Sequence, residues 1–218
     1  MSDAAQGLRE KLDHGGRLTK AEALSLVRNA SVHELGTMGL ASRTRRHGQK
    51  AYYVYNQHLN YTNICANQCR FCAYSKKRGE KGGFTYSAAQ AQQYLEKRKD
   101  APVREVHIVG GLNPALPYSY YIDLLRAVKQ TRPGARVKAF TAVEIAFLAD
   151  SYGKSEAAVL EELIQAGLDA LPGGGAEVFD PDLRDKLCPE KVSGQRWLDI
   201  HRTAHSLGLP TNATMLFG

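Results

Sequence analysis

Residues 60–75 contain the most evident chemistry of the chain, three cysteines in C-x3-C-x2-C spacing. Thiolates at Cys65, Cys69 and Cys72 are soft ligands that suit an iron–sulfur or zinc site. A disulfide framework fails on count, because three cysteines leave one unpaired. A structural zinc site usually takes four Cys or His ligands in pairs. The set would leave one corner of a four-iron cluster without a protein ligand, and an open iron is a place for chemistry. A metal of another kind stays open at this point.

Glycines and a carboxylate follow the predicted strands. Gly110 and Gly111 come directly after the strand at 103–109, so the backbone there can approach a ligand without a Cβ in the way. A tight turn is the alternative. Glu144 lies just past the strand at 136–141, where its carboxylate suits a hydroxyl or a proton-bearing group. A surface or helix-dipole role is the alternative.

Two further candidates carry weaker signals. Gly173 and Gly174 belong to a run of three glycines that does not match the G-x-G-x-x-G fingerprint, so dinucleotide binding is not predicted. His107 lies within a predicted strand, where alternation sets it opposite Val106 and Ile108. It faces either the interior of a barrel or a satisfied place in the core.

The elements that must position these residues alternate between strand and helix along residues 51–218. Strands are predicted at 59–64, 103–109, 136–141, 168–171 and 210–216, with a further β-prone run at 51–55, and helices at 87–99, 120–131, 142–148, 155–166 and 193–207. Repeated β-α units require parallel strands with crossover helices, in an open sheet or a barrel. Residues 1–50 predict a helical extension of two or three short helices, because Thr19 and Ser31 each open a capping box.

Composition excludes several classes of protein. The 218 residues carry a net charge of +7, but no recognisable nucleic-acid motif holds the basic residues. The sequence contains no run of about 18 apolar residues, so no membrane span is predicted. Four cysteines, three of them clustered, favour a reducing compartment, and a cytoplasmic location is expected. Cys188 is expected to be a buried thiol.

With Phe71 as the aromatic, the C-x3-C-x-(aromatic)-C stretch resembles the motif of the radical S-adenosylmethionine (SAM) enzymes. The resemblance implies a [4Fe-4S] cluster on Cys65, Cys69 and Cys72, with SAM as co-substrate on the fourth iron. It implies an α/β fold, the partial (β/α)6 TIM-like barrel of that family. The pattern stops after the fifth predicted strand, so a C-terminally truncated barrel is expected.

Further stretches resemble the aminodeoxyfutalosine synthase family of menaquinone biosynthesis. They are residues 107–117, 138–145, 171–179, 188–191 and 201–216. The resemblance implies that the 5′-deoxyadenosyl radical adds to 3-[(1-carboxyvinyl)oxy]benzoate. The aryl group then migrates, carbon dioxide and methionine leave, and 6-amino-6-deoxyfutalosine forms. Dehypoxanthine futalosine cyclase, an FO synthase subunit and a non-catalytic metal-binding fragment are the alternatives.

The resemblance also implies site roles and partners. Phe71, Gly110 and Gly111 are expected to contact SAM, and Glu144 is expected to act in SAM binding or catalysis. Gly173 and Gly174 are expected to line the SAM cleft, and His107 is a second catalytic candidate. The expected partners are a small acidic aromatic substrate and an electron donor such as flavodoxin or ferredoxin.

Overall fold

The structure is a computed structural model that describes residues 3–216. The chain divides into two compact units, one ending at Tyr53 and the other beginning at Val54. Each unit is described by itself. The sequence boundary between residues 50 and 51 stays a prediction.

The first unit consists of three helices. They are α1 (Asp3–Asp13), α2 (Lys20–Asn29) and α3 (Val32–His47). Both predicted capping boxes are confirmed. At the start of α2 the Glu22 N–H donates to the Thr19 hydroxyl and the Thr19 N–H to the Glu22 carboxylate, and Glu34 and Ser31 form the same pair of bonds at the start of α3. Leu26 and Met38 form a small buried cluster between the helices. Capping satisfies N–H groups that the first turn of a helix leaves without partners, which is why these short segments start where they do.

The second unit alternates strands and helices around a parallel sheet. Its elements are β1 (Asn56–Leu59), α4 (Ala88–Glu96), β2 (Glu105–Ile108), α5 (Tyr118–Thr131), β3 (Arg136–Ala139), α6 (Ala142–Tyr152), α7 (Glu156–Gln165), α8 (Pro181–Leu187) and α9 (Gly194–Ser206). The sheet order is β1-β2-β3, and both pairs are parallel. Single parallel bridges join Lys138 to Ala170 and Leu171 to Thr211, so the chain keeps the same direction beyond β3. This α/β arrangement agrees with the expected partial TIM-like barrel.

Alternation gives the sheet one apolar face and one polar face. Leu59, Val106 and Ile108 are fully buried in the core that α4 and α5 contribute to. His58 and His107 lie side by side on the opposite face, in register across β1 and β2. Because side chains alternate along a strand, the core packing of one face fixes which residues the other face presents.

The strand limits differ from the prediction at both ends of the unit. Instead of 59–64, β1 spans 56–59, and no strand forms at 51–55. The side chain of Thr62 donates to the Phe84 carbonyl oxygen and that of Asn63 to the Gly82 carbonyl oxygen, so local bonds replace the sheet ladder at 60–64. Of the predicted strands at 168–171 and 210–216, only the two single bridges are present.

Within residues 3–216, no helix combines the length and the apolarity that crossing a membrane requires.

Candidate active site

A cavity of about 250 Å³ lies beyond the carboxyl ends of β2 and β3. Seven of the predicted site residues line it: Cys65, Cys69, Phe71, Cys72, Gly110, Gly111 and Glu144. His107, Gly173 and Gly174 are not among its lining residues, whereas Gly175 is. The structure thus brings together the cysteine loop (residues 65–72), the end of β2 and the start of α6. Folds with a parallel sheet place their sites at this carboxyl edge.

The cysteine loop is held mainly by backbone bonds. The Cys65 N–H donates to the Lys76 carbonyl oxygen at 3.0 Å, and the Cys72 N–H donates to the Cys69 carbonyl oxygen at 3.0 Å. The Leu112 N–H, one residue past the Gly-Gly pair, donates to the Cys65 Sγ at 3.3 Å. Cys65 and Cys69 are half-buried and Cys72 is exposed. A backbone N–H thus holds the Cys65 sulfur in place.

The surroundings of Cys69 affect the protonation of its thiol. Burial raises the pKa of Cys69 to about 11, while the charge of Lys191 acts in the opposite direction. Cys188 is fully buried and close enough to raise the pKa of Cys69 further. Because a metal ligand must be a thiolate, metal binding at Cys69 would release a proton.

The three thiols are the soft donors that line the cavity. In residues 3–216 no group of three or more His, Cys, Asp and Glu side chains is placed to hold one metal ion. A four-iron cluster would be held in another way, with each thiolate on a different iron. The two carboxylates that line the cavity are already engaged, since Glu144 accepts four hydrogen bonds and Glu177 pairs with Lys191. Free thiols are therefore the soft donors at this cavity.

Glu144 is a buried carboxylate at the start of α6. One oxygen accepts from the Tyr61 hydroxyl at 2.9 Å and the Gly110 N–H at 3.1 Å, and the other accepts from the N–H and hydroxyl of Thr141 at 2.7 and 2.9 Å. Burial raises the pKa of Glu144 to about 7, although each of these donors lowers it. Glu144 therefore links three parts of the fold: Tyr61, which lies a few residues before the cysteine loop, the end of β2 and the cap of α6.

Gly110 and Gly111 are required by close packing. A Cβ on Gly110 would lie 2.5 Å from the Tyr61 ring, and one on Gly111 would lie 2.2 Å from the Ile64 carbonyl oxygen. The Gly111 N–H donates to the Thr62 carbonyl oxygen at 2.9 Å. Both N–H groups are thus used inside the protein. What this strand end can offer a cationic amino group is its carbonyl oxygens.

Lys191 and Glu177 form an ion pair at the cavity that the sequence analysis did not identify. Their side chains are 13% and 16% exposed and lie 2.6 Å apart, from Nζ to Oε1. The Lys191 Nζ also lies 5.1 Å from the centre of the Phe71 ring, within reach of a cation–π contact. Glu177 has a positive φ of 49°, which is uncommon for a residue other than glycine. Lys191 lies in the stretch 188–191 that carries the family resemblance, but no sequence pattern indicated its partner.

The glycine run packs against the neighbouring elements. A Cβ on Gly173 would lie 2.7 Å from the backbone of Ala213, and the Gly174 carbonyl oxygen accepts from the Trp197 Nε1 at 3.1 Å. Trp197 stacks on His201 with ring centroids 3.7 Å apart. Burial lowers the pKa of His201 to about 4, so its imidazole is neutral at pH 7. The role of Gly173 and Gly174 in a SAM cleft stays a prediction.

His107 lies within a small polar cluster on the sheet. Its ring stacks on His58 with centroids 4.8 Å apart. Glu105, two residues earlier, pairs with the Lys138 Nζ at 2.9 Å. Burial lowers the pKa of His107. His107 lies on the face of the strand opposite Val106 and Ile108, as alternation predicted. Its catalytic role stays a prediction.

Comparison with known proteins places this site in a family. The radical SAM superfamily profile matches residues 59–218. The chain is 41% identical to an aminodeoxyfutalosine synthase of Thermus thermophilus over 96% of this chain and 56% of that protein. It is 36% identical to a 5-amino-6-(D-ribitylamino)uracil–L-tyrosine 4-hydroxyphenyl transferase of Methanopyrus kandleri, over 78% of this chain and 46% of the other. It is 33% identical to an FO synthase of Streptomyces avermitilis, over 100% of this chain and 25% of the other.

The fold has a counterpart among solved structures. Methylornithine synthase (PylB) superposes with a TM-score of 0.72 at 20% identity, over 97% of this chain and 59% of the other. The chain spans about half the length of the first curated relative, 56%. The cysteine loop, the Gly-Gly strand end and the profile match agree, and the chain belongs to the radical SAM superfamily.

Proposed function

We propose that this chain is the radical SAM part of an aminodeoxyfutalosine synthase. Its substrate is 3-[(1-carboxyvinyl)oxy]benzoate and its product is 6-amino-6-deoxyfutalosine. The observation that carries the radical SAM chemistry is the convergence of Cys65, Cys69 and Cys72 on one cavity with Gly110 and Gly111. The identity of 41% to a relative of that name supports the particular reaction.

The proposed cofactors are a [4Fe-4S] cluster on Cys65, Cys69 and Cys72, and SAM as co-substrate. When bound and reduced, they supply the 5′-deoxyadenosyl radical that adds to the vinyl ether carbon of the substrate. An electron donor such as flavodoxin or ferredoxin supplies the electron. Because the four cysteines are free thiols, a reducing compartment such as the cytoplasm suits the chain.

The chain's own residues would bind and orient the reactants. The carbonyl oxygens at Gly110 and Gly111 suit the amino group of SAM, since the two N–H groups already donate within the protein. Glu144 holds Gly110 and the cap of α6 at a fixed distance from each other. Phe71, Leu112 and Val143 give the cavity apolar walls, which would limit the access of water to a reactive intermediate.

The test is anaerobic reconstitution of the protein with iron and sulfide, followed by reductant, SAM and the enolpyruvyl benzoate. We expect about four irons per chain and 6-amino-6-deoxyfutalosine detected by mass spectrometry. Formation of free 5′-deoxyadenosine alone, with the proper substrate present, would count against the synthase. Stoichiometric zinc in place of iron and sulfide would favour a metal-binding module instead.

A sister reaction is the second candidate, because the same chain is 36% identical to a hydroxyphenyl transferase and 33% identical to an FO synthase. A panel adding tyrosine with 5-amino-6-(D-ribitylamino)uracil, and dehypoxanthine futalosine as the cyclase substrate, separates these from the synthase. Turnover of one panel member without turnover of the enolpyruvyl benzoate would replace our assignment.

A further inference from the structure

One wall of the cavity is built by residues 175–192 and is fixed by a buried arginine. The guanidinium of Arg184, 4% exposed, lies in α8. Its donors bond to backbone carbonyl oxygens before and after the helix, those of Gly175, Ala176, Val178 and Val192. Five fixed donors on one planar group can hold several strands of backbone in a single arrangement. Arg184 therefore sets where this wall stands.

The same wall contacts the cysteine loop at three points. The Arg70 N–H donates to the Leu187 carbonyl oxygen at 2.9 Å, and the Gln68 N–H lies 3.4 Å from Glu190 Oε2. The third contact is the Lys191 ammonium over the Phe71 ring. Arg70 and Phe71 lie between Cys69 and Cys72, so the wall holds the part of the loop that presents those two thiols.

The ion pair in this wall is costly for the fold. Taking two charges largely out of water has a desolvation cost that an apolar pair of similar size would avoid. Glu177 in addition has a backbone conformation that disfavours side chains, and strain of this kind concentrates at functional sites. A charge in a partly buried place acts strongly on other charges nearby. The charges of Lys191 and Glu177 line the same cavity as the thiols.

We propose that Lys191 is a positioning residue for the Phe71 side of the cysteine loop, and that its charge, balanced by Glu177, sets the reduction potential of the cluster. The inference rests on the proposed function. One-electron reduction by the external donor adds a negative charge to the cluster. A nearby ammonium stabilises the reduced form and raises the potential, while a nearby carboxylate lowers it.

The experiment compares single-charge variants that act in opposite directions. The reconstituted protein is titrated with dithionite, and electron paramagnetic resonance gives the midpoint potential. We expect Lys191→Met to weaken reduction about threefold, a shift of about 30 mV downward. Glu177→Gln should shift the potential upward by a similar amount. The double variant should return close to the wild-type value.

Matched controls separate the charge from a general loss of structure. Lys186→Met removes an exposed lysine of α8 and should leave the potential unchanged. Lys191→Arg keeps the charge and should stay near the wild type. If Lys191→Met loads too little iron to titrate, the upward shift of Glu177→Gln decides. Potentials that do not move, or that move in one direction in both single variants, would overturn the inference and leave the radical SAM assignment intact. A wild type without a cluster would overturn both.

Discussion

The two sides of the cavity are built in opposite ways. On the side of the buried glutamate, Tyr61 is fully buried, Glu144 is 3% exposed, and every carboxylate oxygen has two hydrogen-bond donors. On the side of the thiols, Cys72 is exposed and Phe71 is 41% exposed, in a loop with few regular elements. The glutamate side has its hydrogen-bond partners within the protein and needs no cofactor. The thiol side presents potential metal ligands whose contacts within the protein are weaker.

This difference predicts which side depends on metal. Buried hydrogen-bonded groups fix a single arrangement, because any other leaves polar atoms without partners. Backbone bonds hold the cysteine loop, but thiols that bind a metal take their final arrangement from it. We therefore expect substitutions on the thiol side to change metal content and those on the glutamate side to change folding stability.

The largest effect is expected on the thiol side. Cys72→Ser should reduce iron from about four per chain to less than about one, because an exposed ligand has nothing else to hold the cluster corner. The free energy of unfolding of the metal-free protein should stay within about 0.5 kcal/mol of the wild type. Iron and acid-labile sulfide analysis after anaerobic reconstitution measures the first, and urea unfolding the second.

The control for this prediction is Cys188→Ser, which changes a fully buried thiol that does not line the cavity. It should keep its iron and lose about 1 kcal/mol of stability, as for a small polar change in a core. Equal iron loss in both variants would make Cys188 a ligand and break the division between the two sides.

Where the two sides meet, Gly111→Ala should destabilise the fold by about 3 kcal/mol, because backbone atoms of Ile64, next to Cys65, cannot yield to the new Cβ. Urea unfolding followed by circular dichroism checks this. Gly134→Ala, at a glycine with open space around its Cβ position, should stay within about 0.5 kcal/mol. If the two glycines behave alike, the close approach at Gly111 is not what that position requires.

Glu144→Gln should cost about 2 kcal/mol, since an amide N–H2 would meet donors where the carboxylate accepts. The pKa of Glu144 is raised from 4.5 to about 7, so the folded protein binds this proton more tightly than the unfolded chain. The contribution of the group to stability is therefore full below pH 4.5 and is lost as pH rises through about 7. Unfolding measured from pH 4.5 to 8 should show this decline in the wild type and not in the variant.

Glu34 is the matched control for that pH dependence, because it occupies the same capping-box position at the exposed start of α3. Hydrogen bonds from Ser31 lower the pKa of Glu34, so its contribution is lost as pH falls. Glu34→Gln should leave the decline between pH 4.5 and 7 in place. Removal of that decline by Glu34→Gln would show that Glu144 is not its source.

The smallest effect is expected at His107. It does not line the cavity, so His107→Ala should leave iron per chain unchanged. The free energy of unfolding should change by about 1 kcal/mol, because the His107 ring no longer stacks on that of His58. A marked fall in iron content would indicate that His107 contributes to the metal site and not only to the polar cluster on the sheet.

The local patterns of the sequence predicted seven of the residues that line this cavity. The cysteine spacing, the glycines after β2 and the glutamate after β3 follow from rules that act over a few residues, and the cavity contains all of them. The exact ends of β1 did not follow, because the bonds of Thr62 and Asn63 go to residues about 20 positions away. Lys191 and Glu177 did not follow either. Their meeting depends on the course of residues 175–192, which the bonds of Arg184 determine.

The indole of Trp197 gives the glycine run a built-in optical signal. It is the single tryptophan of the 218 residues, and it donates to the carbonyl oxygen of Gly174 next to the cavity. It contacts the rings of Phe179 and His201, and because burial lowers the pKa of His201 to about 4, that ring is uncharged at neutral pH and does not quench as an imidazolium would. Intrinsic emission from this one residue can therefore follow movement of the run during cofactor loading, without any label.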